Sequence, residues 1–177
     1  MVDHGKLVGI VSEKDLLHAT PSGATTLSVW ELNYLLSKIQ VKDVMTRKVI
    51  TITVDTPIEE AARLMADNKI GGLPVMRDDK LVGIITETDL FKIFLEMLGA
   101  RQKAVRLSVL VPNQAGEIAK ISQAIFQRGG NIIALGTFAG EDPSNSLVTL
   151  KVAGPSLDEL RAIVGPIVLR LTDIRVC

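Results

Sequence analysis

Apolar positions along the chain follow two spacings, and each spacing predicts a different kind of element. Apolar residues that recur every three to four positions predict amphipathic helices, whereas alternating or short continuous apolar runs predict strands. In the first hundred residues the predicted strands cover residues 7–11, 49–54, 73–76 and 81–85. The predicted helices cover residues 12–19, 28–39, 57–70 and 89–98.

Capping residues indicate where two of these helices begin. Ser28 and Glu31 have the spacing of a capping box, and Trp30 is predicted to anchor that helix by packing. Thr56-Pro57-Ile58-Glu59 predicts a second helix start, with Thr56 as the N-cap, Pro57 at the first helical position and Glu59 reaching back. Gly71 and Gly72 predict the end of this helix.

The last seventy residues have a different order of elements. The pattern predicts strands over residues 105–111, 131–138, 147–152 and 168–176. Two helices, over residues 118–128 and 156–164, lie between them. In the first helix, Ile118, Ile121, Ile125 and Phe126 are predicted to face inward. The order βαββαβ is that of a ferredoxin-like split βαβ fold.

One short phrase occurs twice. Each position of the first copy recurs 74 residues later, so that Gly9 returns as Gly83 and Asp15 as Asp89. Each copy is a buried strand followed by a hydroxyl residue, two spacers and an aspartate that opens a helix. A repeat at a fixed offset indicates two copies of one supersecondary unit.

The repeated hydroxyl and carboxylate, Ser12 with Asp15 and Thr86 with Asp89, allow two interpretations. The carboxylate can accept hydrogen bonds from the cis-diol of a ribose, the hydroxyl can donate to a ribose or phosphate oxygen, and the N–H groups of the helix start favour negative charge. The same spacing is also an ordinary capping arrangement, in which the two side chains bond to the backbone of their own helix. The pattern alone leaves both open.

Composition narrows the classes of function. Net charge is zero, with 20 basic and 20 acidic residues, which gives no electrostatic case for binding nucleic acid or an anionic membrane. No apolar run approaches a membrane span, and Met1 to Gly5 does not resemble a signal peptide, so a cytoplasmic location is expected. His4, His18 and Cys177 lack metal-site spacing, and no catalytic motif occurs. We therefore expect no enzyme, no metal and no required cofactor.

Residues 41–99 resemble a complete CBS domain, the cystathionine-β-synthase type. The motifs are Asp43-Val44-Met45-Thr46, the helix start at Thr56, Leu73-Pro74-Val75, and Gly83-Ile84-Ile85-Thr86-Glu87-Thr88-Asp89. Residues 1–20 resemble the C-terminal part of a first CBS domain, truncated at its N-terminus, and residues 21–40 are predicted to be a linker and helix, with the turn-rich linker over residues 20–27. The resemblance implies a tandem CBS pair, or Bateman module, which binds adenosine-containing ligands such as AMP, ATP or S-adenosylmethionine.

This resemblance also implies a set of ligand-binding residues. Thr86 and Asp89 would hold the ribose or phosphate, with Ser12 and Asp15 as their counterparts. The apolar adenine pocket would be lined by Val44, Met45, Thr46, Val49, Ile70, Leu73 and Pro74. Some nucleotide-binding relatives carry a basic residue where this chain has Gly71 or Gly72. The absence of this basic residue weakens the case for a triphosphate ligand and favours a monophosphate, an adenosyl ligand or an empty site.

Residues 104–177 resemble an ACT domain, a regulatory module that often binds amino acids. The resemblance lies in the βαββαβ order and in the loop Asn113-Gln114-Ala115-Gly116, which with Ile118 would form an amino-acid site. Asn113 and Ala115 replace the Asp and Pro that the family often has, and a simple strand-to-helix turn is the alternative. The α+β arrangement of a partial CBS pair followed by a ferredoxin-like ACT domain is similar to the acetoin utilisation accessory proteins of type B.

The expected function is therefore regulatory and non-catalytic. A ligand at the CBS cleft would act allosterically, in acetoin or central carbon metabolism by similarity. Both modules usually self-associate, so a homodimer or higher homo-oligomer is expected, with an enzyme as a further partner. The alternative is an interaction or dimerisation subunit of a metabolic enzyme, whose clefts stay empty.

Overall fold

The chain divides into two units, Met1–Leu90 and Phe91–Cys177. The computed structural model describes residues 1–19 and 27–177. The linker predicted over residues 20–27 therefore lies outside the described residues except for Leu27. The division falls inside a helix, several residues before the boundary at 99–104 that the sequence predicts.

In its described residues, the first unit contains a short hairpin, five helices or parts of helices and a three-stranded sheet. Its strands are β1 (Val2–Asp3), β2 (Lys6–Leu7), β3 (Ile52–Thr53), β4 (Gly72–Arg77) and β5 (Lys80–Thr86). Its helices are α1 (Glu13–Ala19), α2 (Val29–Lys38), α3 (Val41–Val44), α4 (Ile58–Asn68) and the start of α5 (Glu87–Met97). The predicted elements occur in the predicted order, with shorter strands at β2 and β3, and the structure adds β1 and α3.

The sheet of the first unit has the order β3-β4-β5, with β3 parallel to β4 and β5 antiparallel to it. Its core is formed on one face by four buried apolar side chains of the described residues, which are Ile52, Ala61, Met65 and Leu73. Ala61 and Met65 lie four positions apart on α4, so they point to the same side of that helix. A small core of this kind leaves the first unit with little apolar burial.

The first copy of the repeat forms less strand than predicted. Only Lys6–Leu7 pairs with β1, and the predicted strand over residues 7–11 is replaced by a single bridge between Ile10 and Thr46. That bridge has two backbone hydrogen bonds, from Ile10 N to Thr46 O at 2.9 Å and from Thr46 N to Ile10 O at 2.8 Å. The first copy therefore pairs with Thr46, which lies inside the CBS-like region.

The predicted ends of α4 are wrong in detail. Thr56 Oγ1 accepts a hydrogen bond from Thr53 N at 3.0 Å, so its hydroxyl serves the preceding turn and not the helix. Pro57 is the N-cap, and its carbonyl accepts from Glu60 N and Ala61 N. At the other end Lys69, with φ of 54°, occupies the left-handed position that the sequence assigns to the glycines.

The second unit has the predicted ferredoxin-like topology. Its strands are β6 (Val105–Pro112), β7 (Asn131–Ala139), β8 (Asn145–Ala153) and β9 (Arg170–Val176). Its helices are α6 (Glu117–Phe126) and α7 (Leu157–Val164), followed by a 3₁₀ turn (Gly165–Ile167). The antiparallel sheet has the order β7-β8-β6-β9, in which the first and third strands of the βαββαβ unit lie in the centre. Eleven buried apolar residues fill the core between sheet and helices.

Some predicted inward faces are exposed. Ile121 and Ile125 are buried as predicted, but Ile118 is 41% and Phe126 is 71% exposed. Trp30 is 86% exposed, so its predicted packing role on α2 is not observed within the described residues. No helix in the described ranges is both long and apolar enough to traverse a lipid bilayer.

Candidate functional site

The two hydroxyl–carboxylate pairs form reciprocal hydrogen bonds at the starts of α1 and α5. Asp89 Oδ2 accepts from Thr86 Oγ1 at 2.7 Å and from Thr86 N at 3.1 Å, and Asp89 N lies 3.4 Å from Thr86 Oγ1. Asp15 Oδ2 accepts from Ser12 Oγ and Ser12 N, both at 2.7 Å. The repeat in sequence is therefore a repeat in geometry.

Capping explains these contacts without a ligand. Ser28 with Glu31 and Ser156 with Glu159 form the same reciprocal box at α2 and α7, where no ligand was predicted. Hydrogen bonds from Ser12 hold the pKa of Asp15 below its usual value, as those from Ser28 do for Glu31. What distinguishes Thr86 and Asp89 is that their box is half-buried, whereas the boxes of α1, α2 and α7 are exposed.

Thr86 lies on the face of the sheet that is turned away from the core. Gly72 pairs with Thr86 and Pro74 with Ile84 across β4 and β5. Because side chains alternate along a strand, these four residues share one face, and Leu73 with Ile85 shares the other. We call the first of these the open face of the first unit.

A cavity of about 410 Å³ opens on this face between the two copies of the repeat. Three equivalent pairs, each 74 residues apart, line it from both copies: Leu7 with Leu81, Gly9 with Gly83, and Ile10 with Ile84. Met1, Pro74 and Val82 complete the wall. Every side chain on this wall is apolar. The two copies thus enclose one pocket, and Ile84 on its wall is two residues from Thr86 on the same face.

The structure separates the predicted adenine-pocket residues into three places. Pro74 is the one of them that lines the cavity. Leu73 is fully buried in the core on the opposite face and Ile70 packs against that core, so neither of them lines this cavity. Val44 and Met45 are half-buried, and a Cβ added to Gly9 would lie 2.5 Å from Met45 Sδ. Two further predicted residues, exposed Thr46 and half-buried Val49, also lie outside the cavity wall.

In the second unit the predicted amino-acid loop is occupied by its own side chains. Asn113 Nδ2 donates to Pro143 O at 3.1 Å, and Asn113 Oδ1 accepts from Ser146 Oγ at 3.2 Å. Asn113 also borders a shallow cavity of about 560 Å³ beside the β7–β8 loop. Ala115 and Gly116 are exposed, and Gly116 has φ of 94°, which glycine adopts at low cost before α6.

Sequence reasoning missed Glu117, the first residue of α6. Its side chain is buried, and Oε1 accepts from Gln114 Nε2 at 2.8 Å and from Lys120 Nζ at 2.6 Å. An internal carboxylate therefore lies beside the predicted amino-acid loop, where it bonds to side chains of the same segment. The signal in the sequence is a glutamate in the first turn with a lysine three residues later, which favours an ion pair on the helix.

Glu117 gives a testable pH dependence. The Gln114 amide, and then the Lys120 ammonium, hold the pKa of Glu117 below its usual value of 4.5. Since the folded state has the lower pKa, this stabilisation is present at neutral pH and is lost as the pH falls below 4.5 through the folded-state pKa. We expect Glu117→Gln to flatten the acid limb of a plot of the second unit's unfolding free energy against pH, measured by urea titration. Asp158→Asn, at an exposed site, is the control. Equal acid limbs in wild type and Glu117→Gln would contradict the assignment.

Comparison with known proteins finds a family match for one segment of the chain. The CBS domain matches residues 41–96. Over 47 residues, 27% of this chain, the sequence is 57% identical to inosine-5′-monophosphate dehydrogenase of Thermoplasma acidophilum. The chain spans less than two thirds of such curated relatives: 10% of that dehydrogenase, and 66% of an uncharacterised protein of Methanocaldococcus jannaschii to which it is 39% identical.

Two solved structures are also similar. One is an acetoin utilisation protein, AcuB, of Vibrio cholerae, with 36% identity, a TM-score of 0.44, and coverage of 56% of this chain and 67% of that one. The other is the CBS domain pair of protein MJ0100 in complex with 5′-methylthioadenosine and S-adenosyl-L-methionine, with 31% identity, a TM-score of 0.42, and coverage of 57% and 68%. The family match supports the CBS domain predicted at residues 41–99. The ACT assignment of residues 104–177 stays a prediction.

Proposed function

Starting from the CBS domain at residues 41–96, we propose that the chain is a non-catalytic regulatory protein whose first unit binds an adenosine-containing ligand on its open face. The observation that carries this proposal is the apolar cavity that both copies of the repeat enclose, on the same face as Thr86. Its volume of about 410 Å³ lies in the range of roughly 300–1,000 Å³ that small-molecule sites occupy. Apolar walls with polar groups at one end suit a base attached to a sugar.

The two ends of such a ligand would have different partners. The base would lie between Ile10 and Ile84, and the ribose would reach along the strand towards Thr86 and Asp89. A carboxylate has about four acceptor sites and a hydroxyl can both donate and accept, so capping does not by itself prevent these side chains from binding a ribose. Capping and ribose binding are therefore compatible at Asp89, and the cap would hold the carboxylate in place. Ser12 and Asp15 would serve the first copy in the same way.

The chain offers a matched pair of variants for Asp89. Asp89→Ala and Glu159→Ala each remove the carboxylate of one capping box, at a cost of about 1 kcal/mol to the unit that carries it. Asp89→Ala alone is expected to lose the ligand. Calorimetric titration with adenosine and thermal unfolding measure both effects, because a ligand at a hundred times its dissociation constant stabilises by about 2.7 kcal/mol.

The outcomes separate the two interpretations of the box. The proposal expects wild type and Glu159→Ala to bind adenosine alike and Asp89→Ala to bind at least tenfold more weakly. If Asp89→Ala bound adenosine as tightly as Glu159→Ala does, Asp89 would be a cap and nothing more. If wild type bound neither adenosine nor any adenosine derivative, the regulatory proposal itself would fail.

A second candidate function is an interaction subunit, and exposed aromatic side chains favour it. Trp30, Phe91 and Phe126 are 86%, 68% and 71% exposed. Large exposed apolar side chains often mark protein contacts. We include a homodimer or higher homo-oligomer, and an enzyme partner, in this proposal, with light scattering at tens of micromolar as its test. Amino-acid binding at residues 113–118 and a role in acetoin utilisation are further proposals that rest on the sequence resemblance.

A further inference from the structure

Helix α2 presents large apolar side chains to its surroundings. None of its ten residues is buried, and its capping box at Ser28 is exposed as well. Leu32 and Leu36, one turn apart, are half-buried and mark the inner side of the helix. Tyr34 is 63% and Leu35 is 46% exposed. Isolated helices shorter than about 12 residues are marginal in water, so a helix of this length and composition needs a surface that covers it.

The side of α2 away from Leu32 and Leu36 has a charged residue at each end and apolar residues in the middle. We call this side the outer stripe, and its members, three or four positions apart along the helix, are Glu31, Tyr34, Leu35 and Lys38. Lys38 Nζ lies 5.1 Å from the centroid of the Tyr34 ring, so these two side chains do share one side. Glu31 and Lys38 are the two charged residues of α2, and they lie two turns apart.

The outer stripe is complementary to itself when two copies run in opposite directions. A two-fold axis between Tyr34 and Leu35 places Glu31 beside the partner's Lys38, and the symmetry repeats this contact. In a parallel pair, by contrast, residues of like charge would meet at both ends. The capping box engages Glu31 Oε2, and a carboxylate has a second oxygen with which it can accept from a lysine.

From this pattern we propose that two copies of the chain associate through the outer stripe of α2 in antiparallel orientation, with two ion pairs on either side of a central Tyr34 and Leu35 cluster. The inference rests on the homo-oligomer that the second candidate function includes, and not on adenosine binding. Trp30 lies one turn before Tyr34 and is 86% exposed, so the partner would cover part of its ring.

The size of α2 indicates how strong this association can be. A helix of ten residues is about 15 Å long, which is short for an interface that buries the roughly 1,200–2,000 Å² of a standard complex. Exposed ion pairs add little affinity, although they select the direction in which the helices pair. We therefore expect a weak dimer that dissociates on dilution below tens of micromolar.

Sedimentation equilibrium of charge-reversal variants tests the inference. Glu31→Lys and Lys38→Glu each turn the two attractions of the pair into two repulsions, so each variant alone should self-associate about tenfold more weakly than wild type. An equimolar mixture of the two variants restores both attractions between unlike copies and should associate about as tightly as wild type. This recovery separates pairing from damage to the helix, because the mixture contains the same substituted helices. Glu59→Lys, which reverses an exposed carboxylate in the first turn of α4, is the control and should leave self-association unchanged.

Two further substitutions test the centre of the stripe. Leu35→Glu should leave the protein monomeric at tens of micromolar, because the two new carboxylates would face each other across the two-fold axis. Asn33→Glu adds the same charge at an exposed position on another side of α2 and should dimerise as wild type does. Trp30 is the one tryptophan of the chain, so its fluorescence should shift to shorter wavelength as wild type is concentrated and stay constant in Leu35→Glu. Circular dichroism of each variant checks that the fold is unchanged.

Three results would overturn the inference and leave adenosine binding to its own test. These are charge-reversal variants that self-associate as tightly as wild type, a mixture that associates no more tightly than its components, or a Leu35→Glu protein that dimerises as wild type does. The last would place the contact between copies on a different surface. A wild-type protein that stays monomeric at tens of micromolar would remove the homo-oligomer and this inference together.

Discussion

Leu73→Ala is expected to unfold the first unit and to leave the second folded. Leu73 is fully buried, and it is one of four buried apolar side chains that form the core of the first unit within the described residues. Truncation of a buried leucine to alanine costs about 2–5 kcal/mol, because the transfer free energy of the lost methyl groups is joined by the cost of the cavity. Whole domains are stable by only about 5–15 kcal/mol, and one with so small a core belongs at the low end.

Differential scanning calorimetry measures this prediction, since two units can give two transitions. We expect the transition of the first unit to disappear or to move below room temperature in Leu73→Ala. Ile84→Ala is the matched control, because Ile84 lies on the neighbouring strand but is 58% exposed on the open face. A Leu73→Ala protein with both transitions at their wild-type temperatures would show that Leu73 is not in the core.

Leu150→Ala makes the same chemical change in the second unit and is expected to have a different consequence. Leu150 is 1% exposed on the central strand β8 and belongs to a core of eleven buried residues. The cost is again about 2–5 kcal/mol. A larger core provides more stability to lose, so we expect the unit to stay folded with its transition lowered by roughly 10 °C or more.

Urea unfolding followed by circular dichroism gives the free-energy change directly. Exposed Thr137, on edge strand β7, provides a control in Thr137→Ala, for which little change is expected. The account would be contradicted if Leu150→Ala lowered the stability of the first unit and not of the second. Leu150 would then not belong to the core of the second unit.

Local patterns predicted the capping boxes correctly because their interactions span three residues. Ser28 with Glu31 forms the box that the sequence predicts, and Ser156 with Glu159 forms another of the same spacing. Thr56 shows the limit of this reasoning. Its hydroxyl accepts from Thr53 N in the preceding turn, and this competing local bond cannot be separated from N-capping by residue type alone.

Placement of the pocket residues depends on strand register, which the sequence leaves open. Leu73 and Pro74 are neighbours in the motif but point to opposite faces, so one is in the core and the other lines the cavity. The cavity itself is lined by residues of both copies, which lie 74 residues apart in sequence. The repeat predicted that both copies matter, but which side chains meet across it follows only from the folded geometry.

The periodicity of apolar residues also did not predict which helix positions are exposed. Ile118 and Phe126 have the spacing of an inward face, yet they flank a narrower buried stripe formed by Ile121 and Ile125. A period of 3.6 residues gives the direction of the apolar stripe, whereas its width depends on which elements cover it. The burial of Glu117 was not predicted for a related reason. A carboxylate is buried only where it has hydrogen-bonding partners, and the fold brings those partners together.

Methyl NMR of isoleucine-labelled protein, titrated with adenosine, tests the central claim most directly. The account predicts that the methyl signals of Ile10 and Ile84, one from each copy of the repeat, shift together and saturate, while those of Ile121 and Ile125 in the second unit do not move. Adenosine-dependent shifts confined to Ile121 and Ile125, or no shift at any isoleucine at millimolar adenosine, would contradict it.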